Sequence, residues 1–401
     1  MDSKAKKFQK NILTEGISSN ENSKSDKSNV PQEQKVSNDK IQKKLKKLGN
    51  ILGKNYINID DLKQFCWGGI PKIPATNRAE CWKYLLGFYP LNNELKESTV
   101  KRKKEEYSNM CSNYSNALSN PDSQMNEQEL AIYRQILKDV PRTMPDFSRS
   151  FITTQKQKFY DKFVQWQFLK LKQGEKVKFM MTRILYIWSM RHPASGYVQG
   201  FNDLTTPFFV VFFNEKFAEL SVQELLNKNQ AQIVEVISDN DFFDIETDIY
   251  FAFTKLLDRI QTHYTSQQPG ITKMMNKMKI IIKTVDPELS NHLDNMEIDY
   301  VQFCFRWMNC FLMREFEIEL IIRLWDTYFS EDNGFSEFHL YVCSSLLLNF
   351  SEKLKKMTEF QQMIIFLQKL PTDNWDEGNI EDLLARSYQI RELYSSLVKE
   401  K

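Results

Sequence analysis

Apolar positions recur along most of this chain at helical spacing. Val177, Met180, Met181, Ile184, Leu185 and Trp188 fall at i, i+3, i+4, i+7, i+8 and i+11, which places them on one face of a helix. Tyr300, Phe303, Cys304, Trp307, Met308 and Phe311 repeat that spacing, and Ile318, Ile321, Ile322 and Trp325 follow it again. A stripe from Leu130 through Tyr133, Ile136 and Leu137 predicts another helix, ending near Val140 because Pro141 disfavours helical geometry in the residue before it. The segments 245–264 and 380–398 also read as amphipathic helices, with a loop at Pro269-Gly270 and a turn at Asp239 to Asp244. Residues 151–190 give one or two helices, and 118–127 a polar loop.

The stretch Trp188 to Leu204, WSMRHPASGYVQGFNDL, interrupts this pattern. A helix runs into it, breaks at His192-Pro193, turns through Ser195-Gly196 and restarts at Tyr197. Gln199, Asn202 and Asp203 form a polar island there, followed at once by the apolar run Pro207 to Phe213. Such an island is either a capped helix junction or a functional site.

Charges interrupt the two helices after residue 300: Arg306, Arg314, Glu315, Arg323 and Asp326. Isolated buried charge is costly, so these are expected as structural ion pairs. Trp82, Trp307 and Trp325 are assigned to the core on periodicity. Further upstream, Gly68-Gly69, Pro71 and Pro74 make a stiff turn, after which Thr76 or Asn77 caps a helix bearing Arg78 and Trp82 on one face. Asp60 or Asp61 is the expected cap of the helix before it. Arg142, between Pro141 and Pro145, is expected on a stiffened loop just past its helix.

Composition narrows the class. Gly and Pro number 12 each in 401 residues, which disfavours a turn-rich β fold, and 29 Phe supply ample core material. The expectation is therefore all-α, one large domain over residues 59–397. The net charge of +2 points to no nucleic acid. Its distribution is uneven: residues 1–50 hold 12 Lys, no Arg and 6 acidic residues, whereas the remainder has 42 basic against 46 acidic. With few apolar residues, 1–50 reads as a disordered basic tail, whose cluster Lys43 to Lys47 could touch an anionic membrane. Six Cys and four His are scattered without metal-ligand spacing, so no metal site and reduced thiols are expected. Neither a secretory h-region nor a bilayer-length apolar run occurs, so the chain is expected to be soluble and cytoplasmic.

Five segments in order, RAECWK (Arg78 to Lys83), ILKDVPR (Ile136 to Arg142), GYVQGFND (Gly196 to Asp203), FRWMNCFLMRE (Phe305 to Glu315) and RLWD (Arg323 to Asp326), resemble the TBC domain of Rab GTPase-activating proteins, nearest its member-22-like branch. Each motif alone is weak; all five across roughly 250 residues are specific. The resemblance implies a V-shaped all-helical domain whose groove holds a GTP-bound Rab small GTPase, accelerating its hydrolysis and so regulating vesicle traffic. It implies Arg142 as an arginine finger at the end of I-x-x-D-x-x-R and Gln199 as a glutamine finger in Y-x-Q. Asp139, Tyr197, Asn202 and Asp203 then support the motifs and the groove. GTP and Mg²⁺ would be carried by the Rab, so no cofactor of the chain's own is expected. Peripheral association with Golgi or other endomembranes is the implied address. Met144, where the family often has Asn, and Phe201, where it often has Met, depart from the pattern beside the fingers. The alternative is a Rab-binding scaffold with little catalysis.

Overall fold

A computed structural model describes residues 30–72, 74, 76–150, 172–219, 238–265 and 267–399. Among them the elements are helices: α1 (Val30–Leu52), α2 (Ile59–Trp67), α3 (Thr76–Leu85), α4 (Lys96–Ser119), α5 (Glu127–Ser150), α6 (Lys172–Arg191), α7 (Phe201–Glu219), α8 (Asp239–Arg259), α9 (Pro269–Val285), α10 (Pro287–Asn295), α11 (Val301–Asn309), α12 (Ile318–Ser330), α13 (His339–Asn349), α14 (Phe360–Gln368) and α15 (Glu377–Lys399). Single helical turns fill several connections, including Pro121–Gln124 within the expected polar loop. The described residues contain no strand, in keeping with the all-α expectation.

An aromatic cluster joins α3, α7 and α12. Trp82 lies edge-on to Phe208 at 5.9 Å and to Phe329 at 4.9 Å, and Phe208 meets Trp325 at 5.6 Å. Trp82, Trp307 and Trp325 are all fully buried, as periodicity predicts. Beneath the cluster sits Asp326, also fully buried. It accepts from Arg78 Nη2 at 3.1 Å, from Trp82 Nε1 at 2.8 Å and from the Ile70 amide at 3.0 Å. The shared face of Arg78 and Trp82 thus closes on one carboxylate, tying the 68–74 turn and α3 to α12. Gly69 is required in that turn: it has φ +82°, and a Cβ would stand 2.5 Å from Arg323 Nε. The other interrupting charges are paired too, Arg323 with Glu381 at 2.7 Å and Arg306 with Glu315 at 2.6 Å.

Several local expectations are overturned. The segment 1–50 is not wholly a tail, because α1 spans Val30–Leu52 and packs on α2. Leu48 and Ile51 are buried and Leu45 is half-buried, a short apolar stripe set among lysines. Residues 1–29 lie outside the described residues. The cap of α2 is Asn58, whose side chain accepts from the Asp60 and Asp61 amides, leaving those two acids in the first turn where the helix dipole favours them. Asp239 to Asp244 opens α8 instead of forming a turn, because Ser238 and Asp241 make a reciprocal capping box. Pro269 and Gly270 likewise belong to the first turn of α9, where the missing proline N–H costs nothing.

Two corrections shape the site. α5 does not stop at Val140 but runs through Pro141 and Pro145 to Ser150. Pro141 removes one bond, to the Leu137 carbonyl, on the solvent side of the helix, where water can replace it. Ile136, Val140 and Thr143 are buried on the other side and hold the helix in place, while Leu137 is 45 % exposed. Second, the stripe starting at Tyr300 ends early. α11 stops at Asn309, and Phe311 and Leu312 adopt left-handed backbone with φ of 49° and 63°.

Candidate functional site

The polar island after α6 occupies the junction between α6 and α7. The helix ends at Arg191, and His192 folds back so that its ring stacks on Trp188 at 4.1 Å. Its Nδ1 lies 2.7 Å from the Trp188 carbonyl, which closes the helix end. Gly196, at φ +61°, turns the chain. The next helix begins at Phe201, four residues later than the expected restart at Tyr197, so Tyr197, Val198 and Gln199 lie on non-helical backbone. Phe201 is fully buried between Trp188, Phe253 and Tyr264, which fixes where α7 starts.

α5 passes alongside. Asp139 is buried, with 2 % exposure, and accepts at Oδ2 from Gln135 Nε2 at 3.0 Å and from the Tyr197 hydroxyl at 3.1 Å. The same hydroxyl is 3.2 Å from Asn202 Oδ1, but a phenol has one proton, and the carboxylate is the stronger acceptor. Burial and the neighbouring Asp139 push the Tyr197 phenol far above its ordinary pKa, so it remains a donor. Asn202 accepts from the Gly200 amide at 3.1 Å and donates to Thr143 Oγ1 at 2.6 Å and to Asp203 Oδ1 at 3.1 Å. Asp203 in turn takes Arg314, with Nη2 at 2.9 Å. One continuous network therefore runs from α5 through the 197–203 junction to the segment after α11.

Arg142 and Gln199 stand at the front of this network. The Arg142 side chain is 69 % exposed; its Nη1 lies 3.6 Å from Asp139 Oδ1. That oxygen is buried and has no hydrogen-bond partner among the described residues. An ion pair so open to solvent contributes about 1 kcal/mol or less, so it orients the guanidinium without locking it. Gln199 is exposed, and its carbonyl accepts from Asn309 Nδ2 at 3.2 Å. Arg142, Gln199 and Asp203 line one open pocket of about 450 Å³, together with Arg306, Arg314 and the segment Gln368 to Thr372.

All six residues singled out in the sequence come together here. Asp139, Tyr197 and Asn202 form the supporting layer, whereas Arg142, Gln199 and Asp203 face the pocket. Sequence reasoning missed Thr143, Asn309 and Gln268, and it treated Arg306 and Arg314 as structural pairs only. Both are paired, yet both also line the pocket. The motif FRWMNCFLMRE carried the signal for Asn309 and the two arginines. Among the described residues no group of three or more His, Cys, Asp or Glu is placed to hold a metal, and no helix is long and apolar enough to cross a membrane.

The family model described as Rab-GTPase-TBC domain matches residues 164–355, a span that holds Gln199 but begins after Arg142. The chain is 39 % identical over 353 residues to GTPase-activating protein gyp1 of Schizosaccharomyces pombe, covering 88 % of this chain and 62 % of that protein. It is 38 % identical over 350 residues to TBC1 domain family member 22A of Homo sapiens, covering 87 % and 60 %. This chain thus spans about three-fifths of the length of these curated relatives. The crystal structure of the Ypt/Rab-GAP domain of Gyp1p superposes with a TM-score of 0.72 at 36 % identity, covering 88 % of this chain and 99 % of that one.

Proposed function

The chain belongs to the Rab-GTPase-TBC domain family, and on that premise we propose that it accelerates GTP hydrolysis by a Rab-family small GTPase. One observation carries the reading. Two exposed side chains of the right chemistry, a guanidinium and a carboxamide, border one open pocket and stand on a buried network. Hydrolysis of GTP spreads negative charge over the transferring phosphoryl group and the leaving oxygens. A guanidinium inserted there by a GTPase activator is worth about 10³–10⁵ in rate, or roughly 4–7 kcal/mol. Arg142 is suited to this because its tether to Asp139 is weak and solvent-open. The attacking water must also be oriented, and the Gln199 carboxamide offers both a donor and an acceptor for it. Asp139, Tyr197, Asn202 and Asp203 hold the backbone that presents both.

GTP and Mg²⁺ would then enter with the Rab, and the chain would act in vesicle traffic at the cytoplasmic face of Golgi or other endomembranes. The exposed lysines Lys43, Lys44, Lys46 and Lys47 on α1 support a peripheral membrane contact. The test is a phosphate-release screen of the purified protein against a panel of GTP-loaded Rabs. At least one Rab is expected to be accelerated more than about a hundredfold. Binding of a GTP-loaded Rab without acceleration of any would instead mark a scaffold.

A further inference from the structure

Asn309 ends α11, yet its side chain does not cap its own helix. It reaches across the molecule: Nδ2 donates to the Gln199 carbonyl at 3.2 Å, and Oδ1 accepts from Gln268 Nε2 at 3.4 Å. Its backbone is pinned as well, because the buried Tyr264 hydroxyl donates to the Asn309 carbonyl at 2.8 Å. Asn309 is 7 % exposed, so this carboxamide is largely buried between Gln199 and Gln268.

The backbone around it is unusually strained. Five non-glycine residues among those described have positive φ: Gln267, Gln268, Glu297, Phe311 and Leu312. Four of the five flank the two ends of this contact. Gln268, at φ 48°, presents its carboxamide to Asn309; Phe311 and Leu312 follow Asn309 after Cys310. Such conformations persist only where surrounding structure enforces them, and they gather at working sites. Gly200, next to Gln199, has φ +112°, and a Cβ there would stand 2.8 Å from Asn309 Nδ2. The glycine thus admits the amide to the backbone. Gln199, Gly200, Gln268, Asn309 and Arg314 together line a smaller cavity of about 370 Å³ beside the main pocket.

We infer that Asn309, braced by Gln268, is a positioning residue for Gln199. By fixing the Gln199 carbonyl it sets the direction in which the exposed carboxamide leaves the backbone. This inference rests on the reading of Gln199 as the residue that orients water in the Rab. Its function is donation at one atom, which volume alone cannot supply. Asn309→Asp keeps the shape, removes the donor and sets an oxygen against the carbonyl.

The experiment measures single-turnover phosphate release from a GTP-loaded Rab across a range of activator concentrations, alongside thermal melts. It uses four proteins: wild type, Asn309→Asp, Gln199→Ala and the double variant. Asn309→Asp should lower the limiting rate about tenfold to a hundredfold, the cost of misplacing a reacting group. The half-saturating concentration should move less than about threefold, and the melting temperature less than about 4 °C. In the Gln199→Ala background the same substitution should change the rate by less than about twofold, because the residue acts through Gln199. Gln268→Ala should give a weaker loss with the same dependence, and Asn309→Ala replaces Asn309→Asp if that variant fails to fold. Equal losses in both backgrounds would make Asn309 merely structural and overturn the inference. So would a wild-type rate for Asn309→Asp while Gln199→Ala is impaired. If Gln199→Ala itself hydrolyses GTP at the wild-type rate, the reading of Gln199 falls and this inference with it.

Discussion

Two of the arginine–aspartate pairs, one spanning the chain and one within a single helix, differ sharply in how open they are. Arg78 and Asp326 are 13 % and 0 % exposed, the guanidinium grips the carboxylate through Nε and Nη2, and Trp82 and Ile70 complete the carboxylate's bonding. Arg142 and Asp139 are 69 % and 2 % exposed, 3.6 Å apart, with one carboxylate oxygen otherwise unpaired. The first pair is closed and can serve only the fold. The second is half open: its aspartate is fixed by Gln135 and Tyr197, while its arginine keeps most of its donors for another molecule. Exposure of the guanidinium, more than the presence of the pair, separates a structural arginine from one able to act in trans.

That contrast can be broken by exchanging the tests. Arg142→Ala is expected to lower the hydrolysis rate by about 10³-fold or more with a melting temperature near wild type. Arg142→Lys should fail almost as badly, since lysine keeps the charge but not the planar fork. Asp326→Ala should do the reverse. Removing one partner of a buried pair costs about 3–5 kcal/mol, visible in thermal melts, while the folded fraction keeps its activity. If Arg142→Ala melted early, or Asp326→Ala lost activity while melting normally, the division between the two pairs would be wrong.

A smaller effect follows from two buried histidines, His263 and His339, both of which pack against Phe311. Burial lowers His263 to about 4 and His339 to about 3, so both are neutral when folded. Unfolded, each binds a proton near its ordinary value of about 6.5. The unfolded state therefore takes up more protons below that pH, and stability falls as pH drops. Their contribution is full above about pH 6.5 and is lost progressively toward pH 3–4, a change on the order of a few kcal/mol. Melting temperatures measured from pH 7.5 to 4.5 should decline below about pH 6.5; replacing both histidines with Gln should flatten that decline. An unchanged slope in the double variant would place the titration elsewhere.

The least effect is expected at the N-terminus. Deleting residues 1–29 should leave kcat/KM within a few-fold, less than about 1.4 kcal/mol. Deletion through residue 50 removes Leu48, which is buried, and should lower the melting temperature as well. A tenfold kinetic loss from the shorter deletion would give that segment a part in binding the Rab.

The helical class, the buried tryptophans and the pairing of the interrupting charges were legible because each follows from local spacing or from the cost of buried charge. That the six candidate residues would gather in one place was legible through their motifs. What stayed hidden depends on contacts distant in sequence. Pro141 reads as a helix end, yet the buried neighbours Ile136, Val140 and Thr143 hold α5 together past it. No glycine announces the left-handed backbone at Phe311 and Leu312, so the spacing predicts a helix that continues past Asn309. Lysine-rich composition masked the short stripe of α1. The link from Asn309 to Gln199 spans 110 residues, and no periodicity could reveal it.

The central claim is that Gln199 supplies water orientation in trans. The most direct measurement pairs wild type and Gln199→Ala with a Rab whose own switch glutamine is replaced by Leu, following single-turnover phosphate release. Wild type should still accelerate the Leu-substituted Rab, and Gln199→Ala should abolish that acceleration with its melting temperature unchanged. Equal acceleration of that Rab by both proteins would contradict the account and return Gln199 to a plain helix junction.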